Sequence, residues 1–260
     1  MQVSADQVQQ FKDVGYTTVD AFFEPNEIAA MRLEVDKWVL NELPRDVSTD
    51  PQKRQNFQLI PLHERSALFR ALPFVPKVVE TVGALIGHPL VKILDQMFLK
   101  PAKVGMGTHW HTDNAYFHLP DPMAGVAMWI AIDDANVANG TLKVVPGAFR
   151  KIFTHTKDVD SDHHIRTQIE EAGAVSCELE AGGVAFFCFG TPHATGDNTS
   201  VKPRAGVGIH FVNEAKAEGH ISTRWQHIRI SGNAASEGQR EYGRRVNFET
   251  EVNRVLDSPP

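Results

Sequence analysis

Eight consecutive residues, Arg204-Ala205-Gly206-Val207-Gly208-Ile209-His210-Phe211, constrain the fold of this chain more than any others. Successive side chains of a strand point to opposite faces. Ala205, Val207, Ile209 and Phe211 therefore make one continuous packing face, and Arg204, Gly206, Gly208 and His210 make the other. Glycine inside a strand marks a place where something approaches the backbone closely. The arginine thus shares its face with empty space, as in a hollow sheet structure. A second run repeats the pattern: Trp129 shares a face with the small Ala127 and Ala131, while Val126, Met128, Ile130 and Ile132 point the other way.

From Leu90 onward the chain consists of short apolar runs bounded by Gly, Pro and Asn, which reads as a sandwich or barrel. Candidate strands are Leu90–Leu99, Trp110–Phe117, Val126–Asp133, Leu142–Val145, Val175–Leu179, Val184–Phe189 and Ala205–Asn213. The stretch before Leu90 is different. Ser4 and Gln7 form a capping box for a helix through about Val14, ended by Gly15, and Tyr16 to Val19 is β-prone. Pro25 opens a long helix in which Ile28, Met31, Val35, Trp38 and Val39 recur at helical spacing. Asp46 to Gln58 reads as a loop, and Glu64–Leu72 and Pro76–Ile86 as further helices. Helices first and strands second predict two sheets rolled together with the early helices on an outer face.

Length and charge narrow the function. A chain of 260 residues is enough for one sizeable core, expected here as a single domain over residues 1–260. It would comprise a mostly helical part (1–88), a β core (89–213) and a C-terminal extension (214–260). A net charge of −6 gives no electrostatic reason for nucleic acid or an anionic membrane as partner. Cys177 and Cys188 are the only cysteines, which fits a reducing compartment. The N-terminus does not read as a signal sequence, no run approaches membrane-spanning length, and the C-terminal Asp-Ser-Pro-Pro is not a peroxisomal tripeptide. The expected location is cytoplasmic, and the expected partner is a small-molecule substrate. Oligomeric state is not legible in the sequence.

The chemistry concentrates in His111-Thr112-Asp113, in His193, and in Arg204 eleven residues later. Two imidazoles and a carboxylate suit Fe(II) and can take one face of its octahedron, leaving three positions open. If residues 111–113 are extended, His111 and Asp113 point the same way and Thr112 faces elsewhere. Arg204 supplies a permanently charged planar fork for a carboxylate.

These residues stand in a longer ordered set: Trp129-Ile-Ala-Ile-Asp, Asn139-Gly140-Thr141-Leu142, Val145-Pro146-Gly147, Gly182-Gly183, Pro192-His193, Asn198 and Arg204. The set resembles the phytanoyl-CoA dioxygenase family of Fe(II)- and 2-oxoglutarate-dependent oxygenases, most specifically from Leu94 to Phe211. The resemblance implies a mainly β fold with flanking helices, a double-stranded β-helix or cupin-like jelly roll with N-terminal helices on one sheet. It implies Fe(II) on His111, Asp113 and His193, with 2-oxoglutarate and O2 as cosubstrates. The far carboxylate of 2-oxoglutarate would pair with Arg204. Trp129 matches a position lining the cosubstrate pocket, and Gln96, Lys100, Thr141 and Thr195 are candidate polar contacts to it. The carboxylate of Asp113 argues against halogenation, since related halogenases carry a small residue there.

Asn114, Tyr116, Phe117 and His118 follow the ligand pair and are expected in part to face substrate. The loop from Lys151 to Gly173 is long enough for a lid. Within it, His163-His164 among Asp158, Asp160 and Asp162 reads as a solvated loop or a second metal patch. The leading expectation is hydroxylation of an unactivated carbon of a small organic molecule, expected to be a specialised metabolite, with release of succinate and CO2. Epimerisation, desaturation or cyclisation by the same chemistry stays open, as does an acyl-CoA substrate. A non-catalytic small-molecule binder on a jelly-roll scaffold is the reading from a different class.

Overall fold

The computed structural model describes residues 3–41, 45–46, 57–217 and 219–258. Most of the segment Asp46–Gln58, expected as a loop, lies outside these residues. The architecture is a jelly roll of two antiparallel sheets. The larger runs in the order Tyr16–Val19, Val184–Cys188, Gly125–Ala131, Arg204–Asn213, Leu90–Lys100, Phe57–Leu59 and Arg45–Asp46, with Ile228–Arg229 also paired to Leu90–Lys100. The smaller is Val175–Ser176, Leu142–Val144, His193–Thr195 and Thr108–His111.

The two faces of the larger sheet differ as the alternation requires. Ala205, Val207, Ile209 and Phe211, with Val126, Met128, Ile130 and Ile132, lie in the main apolar core. That core is closed from outside by the helices Ala5–Val14, Pro25–Asn41, Ala67–Ala71 and Pro76–Ile86, through Phe11, Met31, Trp38, Phe69 and Val82. The C-terminal helix Phe248–Asp257 joins the same core through Phe248, Val252 and Val255. At about 25 cal/mol per Å² of buried apolar surface, this face supplies the main driving force for the fold. The opposite face looks toward the smaller sheet, and there the packing is broken by a cavity.

Local signals place most helix ends. Ser4 accepts from the Gln7 backbone N–H and Gln7 reaches back to the Ser4 N–H, while Gly15 closes the helix at φ +83°. The third helix is shorter than the expected Glu64–Leu72. Ser66 caps it at Ala67, and the turn before it is held instead by Asp95, which accepts from the Leu62 and His63 backbone N–H groups. Asp95 also pairs with Lys92, both fully buried, and accepts from Gln226 at 3.1 Å. A residue and its i+3 neighbour share a strand face here because the pairing with Arg204–Asn213 slips, leaving Ile93 as an extra residue between partners of Phe211 and His210.

The expected strand Trp110–Phe117 ends at His111. Asp113 has helical backbone angles (φ −61°, ψ −32°) and starts the single helical turn Asn114–Phe117. Asp113 therefore does not follow His111 by strand alternation.

Candidate functional site

His111 and His193 face each other across neighbouring strands of the smaller sheet, in direct register, with ring centroids 4.2 Å apart. The same local device fixes both rings. Nδ1–H of His111 donates to the carbonyl of His109 (2.8 Å), and Nδ1–H of His193 donates to the carbonyl of Thr191 (3.0 Å). A carbonyl only accepts, so the hydrogen of each neutral ring sits on Nδ1 and the lone pair on Nε2 is exposed. Burial keeps both rings neutral. It pushes His111 down to about 3, helped by His193 and opposed by Asp113, and lowers His193 as well.

The helical turn after the strand carries Asp113 to the same place. One ligand atom from each of His111, Asp113 and His193 lies within 4.8 Å of the others. Burial works against the charge on Asp113, but the imidazoles around it, His193 and His210 first, outweigh burial and hold the carboxyl below its usual range. Two bare imidazole lone pairs and a buried carboxylate make a donor set that a divalent cation satisfies. These residues fit Fe(II).

They stand on the wall of a cavity of about 280 Å³ between the sheets. One end is cationic. Arg204 is buried, donates through Nη2 to the Gly140 carbonyl (2.5 Å), and lies 5.4 Å over the Trp129 ring. Its Nε is buried without a partner. Burial lowers its pKa to about 10, which leaves it charged at neutral pH. Lys100, opposite Arg204 in the strand register, is also buried and pushed well down by burial and by the arginine's charge. Its Nζ donates to the Thr195 hydroxyl (2.7 Å) and the Gly196 carbonyl (2.5 Å). Thr195 also accepts from the Thr108 backbone N–H, so its own O–H is left to donate elsewhere. A buried guanidinium, a buried lysine amine and an unspent hydroxyl donor make a site for an anion.

Gly206 and Gly208 divide the labour that alternation assigned to them jointly. A Cβ on Gly208 would meet only ordinary contacts at 3.7 Å, so that position is open. A Cβ on Gly206 would lie 2.7 Å from Trp129, so the space there is filled by the indole and not empty.

The other expected residues separate into two groups. Trp129, Gln96, Thr195, Tyr116 and Phe117 line the cavity. Asn114 and His118 do not: Asn114 exchanges hydrogen bonds with the backbone of Leu119 to close the turn, and His118 is its exposed left-handed cap. Thr141 donates to the Cys177 carbonyl, away from the cavity, and Asn198 ties the loop between His193 and Arg204 to the carbonyls of Lys100 and Lys202. The long loop after Lys151 contains a small hairpin, Thr156–Lys157 with Ile165–Arg166, and contributes His163 and His164 to the cavity wall. The acidic patch does not gather around them. His163 pairs with Asp162 and His164 with Ser161, while Asp158 and Asp160 approach His109.

Sequence reasoning missed His210, Gln58, Ile60 and Trp225, all on the cavity wall. His210 was legible, since it shares a strand face with Arg204. Nothing local marked Trp225, which reaches the site from the C-terminal extension and packs edge-on against Phe117 at 4.9 Å.

The profile of the family described as Phytanoyl-CoA dioxygenase (PhyH) matches residues 11–206. An ectoine dioxygenase of Bordetella parapertussis is 25% identical over 227 residues, covering 79% of this chain and 74% of that protein. Among solved structures, the non-heme alpha ketoglutarate dependent carbocyclase SnoK from nogalamycin biosynthesis superposes with a TM-score of 0.70 at 19% identity, covering 89% of this chain and 94% of that one. EvdO2 from Micromonospora carbonacea var. aurantiaca, complexed with 2-oxoglutarate, superposes at 0.65 with 23% identity, covering 82% and 92%. At these identities the structural likeness establishes the shared fold.

Proposed function

Because the chain belongs to the phytanoyl-CoA dioxygenase family, we propose that it is an Fe(II)- and 2-oxoglutarate-dependent oxygenase hydroxylating an unactivated carbon of a small organic molecule, with release of succinate and CO2. One observation carries this reading. The cluster of His111, Asp113 and His193 and the buried, incompletely paired Arg204 open onto the same cavity. His111, Asp113 and His193 would hold the ion. Arg204, with Lys100 and the Thr195 hydroxyl, would grip the far carboxylate of 2-oxoglutarate, with Trp129 beneath the guanidinium and Gln96 alongside. Iron with bound cosubstrate supplies the oxidant for C–H cleavage; the chain supplies orientation and dryness.

The remaining wall defines the substrate. Among the described lining residues the charged groups are Asp113, Lys100 and Arg204, all assigned above. The rest of the wall offers Phe98, Tyr116, Phe117 and Trp225, the amide pair in which Gln58 donates to Gln96 (2.8 Å), and imidazoles. This supports an uncharged, ring-containing substrate that stacks on aromatic faces and exchanges a few hydrogen bonds. An acyl-CoA would find no phosphate partner within that wall. Cys177 and Cys188 are free and buried, their thiols pushed up to about 12 and about 11 by burial, which fits a cytoplasmic setting. Among the described residues no helix is long and apolar enough to cross a membrane.

Anaerobic addition of Fe(II) and 2-oxoglutarate should produce a visible charge-transfer band, and oxygen-dependent succinate should rise with one substrate class of a panel. Gain of an oxygen atom in the product separates hydroxylation from epimerisation, desaturation or cyclisation. Asp113→Ala should abolish turnover. Arg204→Ala should mainly raise the KM for 2-oxoglutarate, by roughly 10- to 100-fold if a charge-assisted bond of about 1.5–3 kcal/mol is lost. Wild-type kinetics in both variants would reject the assignment, and a well-folded protein without band or succinate would favour a non-catalytic binder.

A further inference from the structure

The strand Arg204–Asn213 brings one more polar side chain to the site than the ion and cosubstrate account for. His210 is 4% exposed, lines the cavity, and has Nε2 3.2 Å from Oδ2 of Asp113. The other oxygen of the same carboxylate, Oδ1, lies 3.7 Å from Nε2 of His193. The two oxygens therefore have different neighbours. One faces the imidazole lone pairs that make the metal cluster, and the other faces His210.

The surroundings of His210 decide which nitrogen carries its hydrogen. Nδ1 is buried without a partner, and the ring is walled by Phe117 and Phe189, with centroids 5.5 and 5.8 Å away. A hydrogen on Nδ1 would be stranded among carbons and would leave the Nε2 lone pair facing a carboxylate oxygen. Each such buried mismatch is unfavourable, because the group has given up water without gaining a partner. On Nε2 the hydrogen points toward an acceptor instead.

The backbone is arranged for this contact. Pairing with Leu90–Lys100 is regular from Arg204 to His210 and slips immediately after, where Phe211 skips Ile93 to meet Lys92. The extra residue, Ile93, belongs to the facing strand, so the strand that carries His210 stays regular through this position. On the other edge His210 stays in register with Ala127, whose methyl leaves room for the ring.

We infer that His210 is a positioning residue of the metal centre: its Nε2 lies 3.2 Å from Oδ2 of Asp113, which has no hydrogen-bond partner among the described residues, and with the ion bound Nε2–H donates to that oxygen and leaves Oδ1 for the ion. The inference rests on the iron reading above. Removing such an outer hydrogen bond typically weakens metal affinity about 10- to 100-fold.

The test uses the full-length, metal-free chain titrated anaerobically with Co(II), whose visible ligand-field band reports coordination without turnover. His210→Phe fills the space and removes the donor; His210→Gln retains an amide N–H near the position of Nε2. His210→Phe should bind Co(II) about 10- to 100-fold more weakly with a shifted band, and His210→Gln should recover most of the affinity and the band. Metal-free unfolding midpoints of the two variants should agree, which separates positioning from a packing defect. His210→Leu tests the same loss if the larger ring does not fold. Wild-type affinity and band in the donor-free variant would overturn the role of His210 while leaving the metal site standing, and a Gln variant no better than Phe would do the same. Absence of Co(II) binding by the wild type would overturn the metal site itself and this inference with it.

Discussion

The two glycines beside Arg204 make opposite predictions although they lie two residues apart on one strand face. Neither has a positive φ, so alanine is allowed by the backbone at both, and the difference lies in what the new methyl meets. At Gly206 the methyl carbon would lie 2.7, 2.8 and 2.9 Å from three atoms of the Trp129 indole. The ring must retreat by roughly 0.8 Å to restore an ordinary contact near 3.5 Å. It is buried and supports the guanidinium of Arg204, so the retreat displaces the group proposed to hold the cosubstrate. Overpacking costs about 1–3 kcal/mol, and replacing a strand glycine returns about 0.5–1. Gly206→Ala should therefore lose up to about 2.5 kcal/mol, a melting shift of several degrees at most, and the KM for 2-oxoglutarate should rise severalfold or more. At Gly208 the nearest atoms are 3.7 Å away on Gln96 and His210. Gly208→Ala should be neutral or slightly stabilising, because its methyl enters open cavity, and its effect should appear in ligand binding alone. Thermal unfolding of the metal-free variants and 2-oxoglutarate saturation of succinate formation check both. A Gly206→Ala variant with wild-type melting and KM, or one no worse than Gly208→Ala, would refute the packing of Trp129 against this strand as the support of Arg204.

Two further expectations concern buried charge. Asp95 accepts from two backbone N–H groups, from His63 and from Gln226, besides pairing with Lys92; the hydrogen-bond partner of Lys92 is Asp95. Asp95→Asn strands a fully buried ammonium and should cost about 3–5 kcal/mol, whereas Lys92→Met leaves the carboxylate its other donors and should cost less; equal or inverted losses in urea unfolding would count against that asymmetry. His164 is buried and pushed down to about 3, chiefly by burial, while an unfolded histidine titrates near 6.5. Its folded pKa is the lower one, so its contribution is intact above about 6.5 and is lost as pH falls toward 3. By pH 5 that amounts to about 2 kcal/mol; His164→Gln should remove that part of the drop between pH 7 and pH 5, and an unchanged drop would refute it.

What the sequence made legible follows from which signals are local. Period-two alternation in residues 204–211 and 126–132 assigned the packed and open faces of the larger sheet, because in a strand that assignment is a matter of parity. The capping box at Ser4 and the proline at Pro76 set helix ends for the same reason. His111 and Asp113 come together by a route that parity does not predict. Parity predicts that His111 and Asp113 point together, but the strand stops at His111, and a helical turn sets the direction of Asp113. Of the four residues after Asp113, expected only in part to face substrate, Asn114 and His118 do not line the cavity, since a helical turn sends one into its own closure and the other into solvent.

The residues that stayed hidden are those brought in by contacts far apart in sequence. Trp225 reaches the cavity because the C-terminal extension is pinned to the strand Leu90–Lys100, through the pairing of Ile228–Arg229 and the Gln226–Asp95 bond, which spans 131 positions. Asp95 reaches that bond only because the extra residue Ile93 turns it and Lys92 to one face. On the helix-covered face this irregularity creates a buried ion pair that fastens the segment after Ile60 and the C-terminal extension around the cavity. Deleting Ile93 should therefore separate Lys92 from Asp95 and lower the melting temperature; an unchanged melting temperature would refute the slip as the origin of the pair.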